Sequence, residues 1–242
     1  MTKKASTILM IRPVQFGHNE QTAQTNSFQN QTNIKPEELI QTNALDEFNT
    51  LVEKLKQNGI NVVVFDDSKS PHTPDSIFPN NWISFHESNS IVLYPMLAIN
   101  RRHERRMDII DHFKNGKINL IDITNYENKN TFLEGTGSIV FDYENKIGYA
   151  AISPRTNKTL FENICAQLNY KAISFNAVDI NNNAIYHTNV LMCIGNTFAV
   201  LCNSCIKNKN ELNIIINCLE ETNHEIIEIT SNQMNAFAGN MY

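Results

Sequence analysis

One pattern recurs along this chain of 242 residues: strand, strand, helix, strand. Hydrophobic alternation and turn punctuation predict strands over Trp82–Phe85 and Ile91–Tyr94, a helix over Arg101–Asn115 and a strand over Ile118–Ile123. The order returns as strands Ser138–Tyr143 and Ile147–Ile152, helix Asn157–Leu168 and strand Ala172–Phe175. It returns again as strands Val190–Ile194 and Phe198–Cys202, helix Lys209–Glu221 and strand Glu225–Ile229. Helix starts fall about 54 residues apart, the spacing of a repeat built from one supersecondary module. The stretch before them reads as the latter part of the same module. It has a strand at Ile8–Ile11, a helix from Pro36 to Asn58 stopped by Gly59, and a strand at Asn61–Phe65. A further module begins at Ser231, which is placed to cap a short helix ending near Gly239. The alternative is an ordinary α/β domain whose βαβ units happen to be evenly spaced.

Composition narrows what such a fold can be doing. The net charge of −5 comes without Lys/Arg runs, which argues against a nucleic-acid or membrane-surface partner. No apolar run approaches the roughly 18 residues of a membrane span, and the first apolar stretch is too short for a signal peptide. Five widely spaced cysteines read as reduced thiols in a cytoplasmic protein. Asn is over-used throughout, as a compositional bias, and the densest polar stretch, Asn19 to Asn33, reads as a long mobile loop.

A polar cluster stands at one phase of each repeat: Asn80-Asn81, then Glu134-Gly135-Thr136-Gly137, then His187-Thr188-Asn189, with Asn240 at a similar phase. If the modules ring an axis, equivalent positions converge on it. An acid, a His and several amides then make a reactive pocket.

Four ordered motifs carry a resemblance: Asp75-Ser-Ile-Phe78-Pro-Asn80-Asn81-Trp82, Leu133-Glu134-Gly135-Thr-Gly137, Ile152-Ser-Pro-Arg155-Thr156-Asn157 and His187-Thr-Asn189. In order and spacing they resemble the guanidino-group-modifying (pentein) superfamily, which includes arginine deiminases, dimethylarginine dimethylaminohydrolases and amidinotransferases. The Phe-Pro-Asn-Asn-Trp form most resembles its citrulline-utilisation hydrolase branch. The resemblance covers nearly the whole chain. It implies a five-bladed ββαβ propeller of α/β class, with residues 1–242 as a single amidinotransferase-like domain whose fifth blade is incomplete.

It also implies roles. His187 becomes the general acid/base, although a His beside an apolar strand is more often a structural hydrogen-bonder. Glu134 becomes a buried carboxylate that orients the His and binds substrate nitrogen; without the resemblance it reads as a surface turn acid beside permissive glycines. Arg101 and Arg155 resemble the pair that grips a substrate α-carboxylate, and Asp75 would meet the amino end. The rest of the Arg101–Arg106 run reads as a solvated helix face. His72, Phe16 and the loop from Asn19 to Asn33 would line or close the entrance.

Asn80 and Asn81 depart from the arginine-handling relatives, which carry acids there, and Asn189 repeats the choice. An amide matches a neutral ureido group, since each presents one C=O and one NH₂, whereas a guanidinium offers only donors and a positive charge. These positions therefore favour citrulline or a related ureido amino acid, unless the asparagines are merely turn residues. The implied chemistry uses no cofactor and no metal, and homo-oligomerisation stays open.

The nucleophile is missing from the pattern. The family's chemistry needs a Cys after a glycine-rich segment near the C-terminus, and none of the five cysteines falls at that place. Cys202-Asn-Ser-Cys205 lacks a second pair for zinc and a thioredoxin-like setting, so it reads as core, like Cys165, Cys193 and Cys218. The expectation is a truncated, nearly inactive chain with exposed strand edges that destabilise it or make it self-associate. Three rival readings remain: an arginine deiminase or dimethylarginine hydrolase, a non-catalytic amino-acid-binding protein, and an inactive fragment.

Overall fold

The computed structural model describes residues 7–23, 25–26, 36–87, 89–114 and 118–241. They form a mixed α/β fold of small sheets, and the chain divides into two compact units. One holds the residues up to Ile91 together with Ala98–Ile121; the other holds Val92–Leu97 and the residues from Asp122 onward.

In the first unit, β1 (Thr7–Arg12) pairs in parallel with β2 (Asn61–Asp66). Between them come the four-residue α1 (Glu20–Ala23) and the long α2 (Glu37–Gln57). A parallel pair needs such a crossover. Phe48 and Val52 of α2 pack on Val62, with Met10, Leu55, Ile60 and Val64 around them. The strands β3 (Ile83–His86), β4 (Ser90–Leu93) and β5 (Asn119–Asp122) make a sheet in that order, with α3 (Met107–Phe113) preceding β5. The helix expected from Arg101 starts later: Asn100–Glu104 is a 3-10 turn, and the chain extends at Arg105 before α3 begins.

The second unit repeats the module twice. After the single turn α4 (Gly135–Ser138), β6 (Val140–Asp142) pairs antiparallel with β7 (Ile147–Ala151), which pairs in parallel with β8 (Lys171–Phe175) across α5 (Lys158–Gln167). Then β9 (Met192–Ile194) pairs antiparallel with β10 (Phe198–Leu201), which pairs in parallel with β11 (Glu225–Glu228) across α6 (Lys209–Glu221). The chain then enters α7 (Ser231–Asn235). Its cap is Thr230 rather than the expected Ser231, and Thr230 forms a reciprocal capping box with Gln233.

The repeated modules share stop signals. Gly59, Asn169 and Asn223 each follow a helix in the left-handed region, at φ of 79°, 61° and 60°. In each case the next residue reaches back to close the last turn: Ile60 N–H to Leu55 C=O, Tyr170 to Cys165, His224 to Leu219. Asn is the side-chain-bearing residue that best tolerates that conformation. Part of the Asn excess therefore serves turn geometry, which the expectation of a compositional bias did not capture. No helix among the described residues is long and apolar enough to cross a membrane.

Candidate active site

Each polar motif folds into a tight turn at the start of a module strand. Phe78-Pro79-Asn80-Asn81-Trp82 makes a 3-10 turn over Pro79–Asn81, which sends Trp82 into the core at 0% exposure and buries Asn81. Glu134 precedes the turn of α4, whose first residue, Gly135, has a φ of +46°. Only a residue without a Cβ takes that conformation freely. His187 precedes a 3-10 turn over Thr188–Val190.

In the second unit, three expected residues meet. The Glu134 carboxylate is fully buried; one oxygen accepts the Leu97 N–H at 2.9 Å, and the other lies 2.8 Å from His187 Nε2. Arg155 Nη1 approaches the same oxygen at 3.5 Å, and its guanidinium lies 4.9 Å from the Tyr186 ring centroid. Tyr186 in turn sits beside the His187 ring. Burying a carboxylate is costly unless partners surround it, and here a backbone amide, an imidazole and a guanidinium do so. Imidazole is the side chain that titrates near neutral pH, so a buried Glu–His pair can orient, hold and release a proton.

Ser138 fastens this cluster. Its hydroxyl donates to Arg155 C=O at 2.9 Å and accepts from Glu134 N–H at 2.9 Å and from Thr156 Oγ1 at 2.8 Å. Its carbonyl accepts from Thr188 Oγ1 at 2.6 Å, and Thr188 Oγ1 also accepts the Ala151 N–H. One hydroxyl thus ties the Glu134 turn to the Arg155 loop, and one carbonyl ties it to the His187 turn. The sequence reading missed Ser138, although it directly follows the Glu-Gly-Thr-Gly turn.

In the first unit, Asp75, Asn81 and Arg101 meet. Arg101 forms a bidentate pair with Glu104, at 2.8 and 2.9 Å, and donates to Asn81 Oδ1 at 2.7 Å. It also donates to the carbonyls of Phe78 and Asp75, and its Nε lies 3.8 Å from an Asp75 oxygen. That Asp75 oxygen accepts from Asn19 Nδ2 at 2.7 Å and from Thr22 Oγ1 at 3.1 Å. Glu104, expected on a solvated face, is instead buried, because Arg101 three residues earlier needs a carboxylate to enter the interior with it. That i,i+3 spacing was the available signal. Asn19 and Thr22 carried none, since their partner is more than fifty residues away. The expected loop from Asn19 begins with a buried Asn and the helix α1; residues 24 and 27–33 of it lie outside the described residues.

Asn80 and Asn189 are half-buried on their turns. His72, expected near an entrance, is exposed, with Nε2 3.0 Å from the Gln15 carbonyl. All five cysteines are buried, and burial pushes the Cys165 thiol up to about 12. Among the described residues, no group of three or more His, Cys, Asp or Glu side chains is arranged to hold a metal.

The fold has solved counterparts. ArgZ, an arginine dihydrolase of the ornithine–ammonia cycle in cyanobacteria, superposes with a TM-score of 0.76 at 17% identity, covering 97% of this chain and 33% of that one. Unliganded AgrE gives 0.76 at 18%, covering 98% of this chain and 32% of that one. A dimethylarginine dimethylaminohydrolase bearing an S-methyl-L-thiocitrulline adduct gives 0.67 at 14%, covering 98% and 80%. The chain thus spans about a third of the ArgZ and AgrE chains, and identities this low speak for the fold alone. No curated protein sequence matches the chain. The family model described as "N,N dimethylarginine dimethylhydrolase, eukaryotic" matches residues 12–242. By that match the chain belongs to the eukaryotic dimethylarginine dimethylhydrolase family, within the guanidino-modifying (pentein) superfamily.

Proposed function

We propose that this chain carries the binding and proton-transfer groups of a hydrolase that cleaves a C–N bond at the ureido or guanidino carbon of an amino acid. The observation that carries the reading is the buried Glu134–His187 pair at 2.8 Å with Arg155 beside it. In the proposed reaction, a thiolate attacks the ureido carbon and His187 protonates the departing nitrogen. His187 then takes a proton from the water that releases the covalent intermediate. Glu134, anchored by the Leu97 amide, holds the imidazole in place. Citrulline and water would yield ornithine, carbon dioxide and ammonia.

Arg155 is assigned to the substrate α-carboxylate, Asp75 to its amino group, and Asn80 and Asn189 to the ureido end. Asn81 Oδ1 is already committed to Arg101, so we assign Asn81 and Arg101 to holding the Asp75–Asn81 turn in shape. Arg101 could grip a substrate carboxylate only by giving up its bidentate bond to Glu104. The assignment extends to architecture, with the ββαβ modules as blades of one five-bladed propeller domain. None of the five cysteines falls where the family resemblance puts its nucleophile, so residues 1–242 by themselves are proposed to bind substrate without turnover at an enzymatic rate.

The family match favours a second reading, in which the substrate is arginine or a methylated arginine, whose positive charge would suit the Glu134 carboxylate. Calorimetric titration of residues 1–242 with citrulline, arginine and dimethylarginine separates the two. Tightest binding of citrulline, weakened about 10- to 100-fold by Arg155→Ala, is the expected result. A preference for either cationic amino acid would replace the ureide reading with the second. Absence of binding by all three would overturn both, and rapid ammonia or dimethylamine release would overturn the statement on turnover.

A further inference from the structure

The second unit buries another reactive group that the proposed hydrolase leaves idle. The chain leaves β10 through Cys202-Asn203-Ser204-Cys205, and a 3-10 turn over Asn203–Cys205 follows. Side chains three apart on such a turn nearly eclipse, and the two thiol sulfurs stand 3.0 Å apart. Cys202 Sγ also lies 3.5 Å from Ser204 Oγ, which is 3.1 Å from Ser231 Oγ at the start of α7. Cys205 Sγ rests 3.6 Å from Met234 Sδ.

These neighbours treat the two sulfurs differently. The Cys205 thiol, the hydroxyls of Ser204 and Ser231, and the Cys205 backbone N–H all stabilise negative charge on Cys202, against the opposing effect of burial. The Cys202 thiol is thereby lowered to about 6, while the same pairing and burial push Cys205 far above the ordinary thiol range. Cys202 is therefore the more readily deprotonated sulfur of the two. By contrast, burial raises both Cys165 and Cys193. Asn203 Oδ1, inside the same turn, is buried and meets no donor among the described residues. It can accept from a small O–H-bearing molecule. Both cysteines are buried, but Ser204 between them is exposed, so the pair lies one residue from solvent.

We propose that Cys202 and Cys205 form a hydroperoxide-reactive site that closes to an intramolecular disulfide. The Cys202 sulfur attacks one peroxide oxygen and the O–O bond breaks. The departing hydroxide takes up a proton to become water, leaving Cys202 as a sulfenic acid. Cys205 then loses its proton and attacks the Cys202 sulfur; the S–S bond forms as the S–O bond breaks, and a second water leaves. Two thiols give up two electrons and two protons, and hydrogen peroxide is reduced to two waters. The site is independent of the amino-acid reaction and uses none of its residues.

The test treats the native, reduced wild-type chain with hydrogen peroxide and reads the intact mass, then sequences the tryptic peptide of residues 172–207 by tandem mass spectrometry. The expected result is the loss of two hydrogens, confined to Cys202 and Cys205 and reversed by a thiol reductant. Cys205→Ser should stop the reaction at a sulfenic acid on Cys202, trapped by dimedone, and Cys202→Ser should abolish that product. No mass loss in the native wild type, a disulfide that includes Cys193, or a sulfenic acid on Cys205 in place of Cys202 would overturn the proposal. The wild-type arm decides the question even if either variant fails to fold.

Discussion

Arg101 and Arg155 are equally buried, at 2% exposure each, but they keep different company. Arg101 is matched with two carboxylates, a side-chain amide and two backbone carbonyls. These bonds tie the 3-10 turn of Arg101 to the Asp75–Asn81 segment, so the cluster holds backbone geometry. Arg155 meets the Glu134 carboxylate, which His187 also meets, and the Tyr186 ring. That cluster holds a group able to give and take a proton, and its partners come from three separate motifs fastened through Ser138. The lesson is that a buried arginine is not by itself a substrate clamp.

The comparison breaks most visibly on stability. Arg101→Ala would leave Glu104 and Asp75 buried without their cation, and should cost about 3–5 kcal/mol in urea unfolding. A loss below about 1 kcal/mol would mean the first cluster is not the scaffold described. Glu134→Gln keeps the shape but removes the charge shared by His187 and Arg155, for an expected loss of about 1–3 kcal/mol. Its binding defect should exceed its stability defect when each is set against Arg101→Ala; the reverse order would erase the distinction between the two clusters. Asn19→Ala removes the shorter hydrogen bond to Asp75 and should cost about 1 kcal/mol, again without touching the second cluster.

Alkaline pH supplies a background belonging to neither cluster. Cys165 is held protonated to about 12 in the fold, against an ordinary 9.0. Above that ordinary value the unfolded chain releases the proton first, so stability should fall as pH rises from 9.0 toward about 12. Cys165→Ala should flatten that stretch of the unfolding curve; an unchanged slope would assign it to other groups. The smallest effect is expected from Lys158→Ala. Lys158 meets Glu162 at 3.9 Å, with 61% and 47% of the side chains exposed, and its loss should stay within about 0.5 kcal/mol.

Much of this architecture was legible before any coordinates. The helix α6 was read with its correct ends, since Asn208 caps it and Asn223 closes it. The strands after each motif were placed one or two residues early at Trp82, Ser138 and Val190. Isolated apolar residues there continue the strand pattern, while the backbone is still completing the motif's tight turn. The helix expected from Arg101 failed for a tertiary reason. The Arg101–Glu104 pair turns inward on a 3-10 segment, and within that run of charges their i,i+3 spacing was the one hint of which members are buried. Motif order singled out Glu134, Arg155 and His187, and the fold brings the three together. Asn19, Thr22 and Ser138 act through hydrogen bonds to partners that the fold brings near. The Cys202–Cys205 spacing was visible, but its 3.0 Å contact was not, because two cysteines three apart can equally point into separate parts of a core.

Imidazole nitrogen NMR of residues 1–242 tests most directly whether the Glu134–His187 pair works on an amino-acid substrate. On saturation with citrulline, the ring resonances of His187 should move while those of the other six histidines stay close to their free positions. In Glu134→Gln the His187 change should shrink. Citrulline binding seen by calorimetry with the His187 resonances unmoved would contradict the account and place the bound amino acid elsewhere.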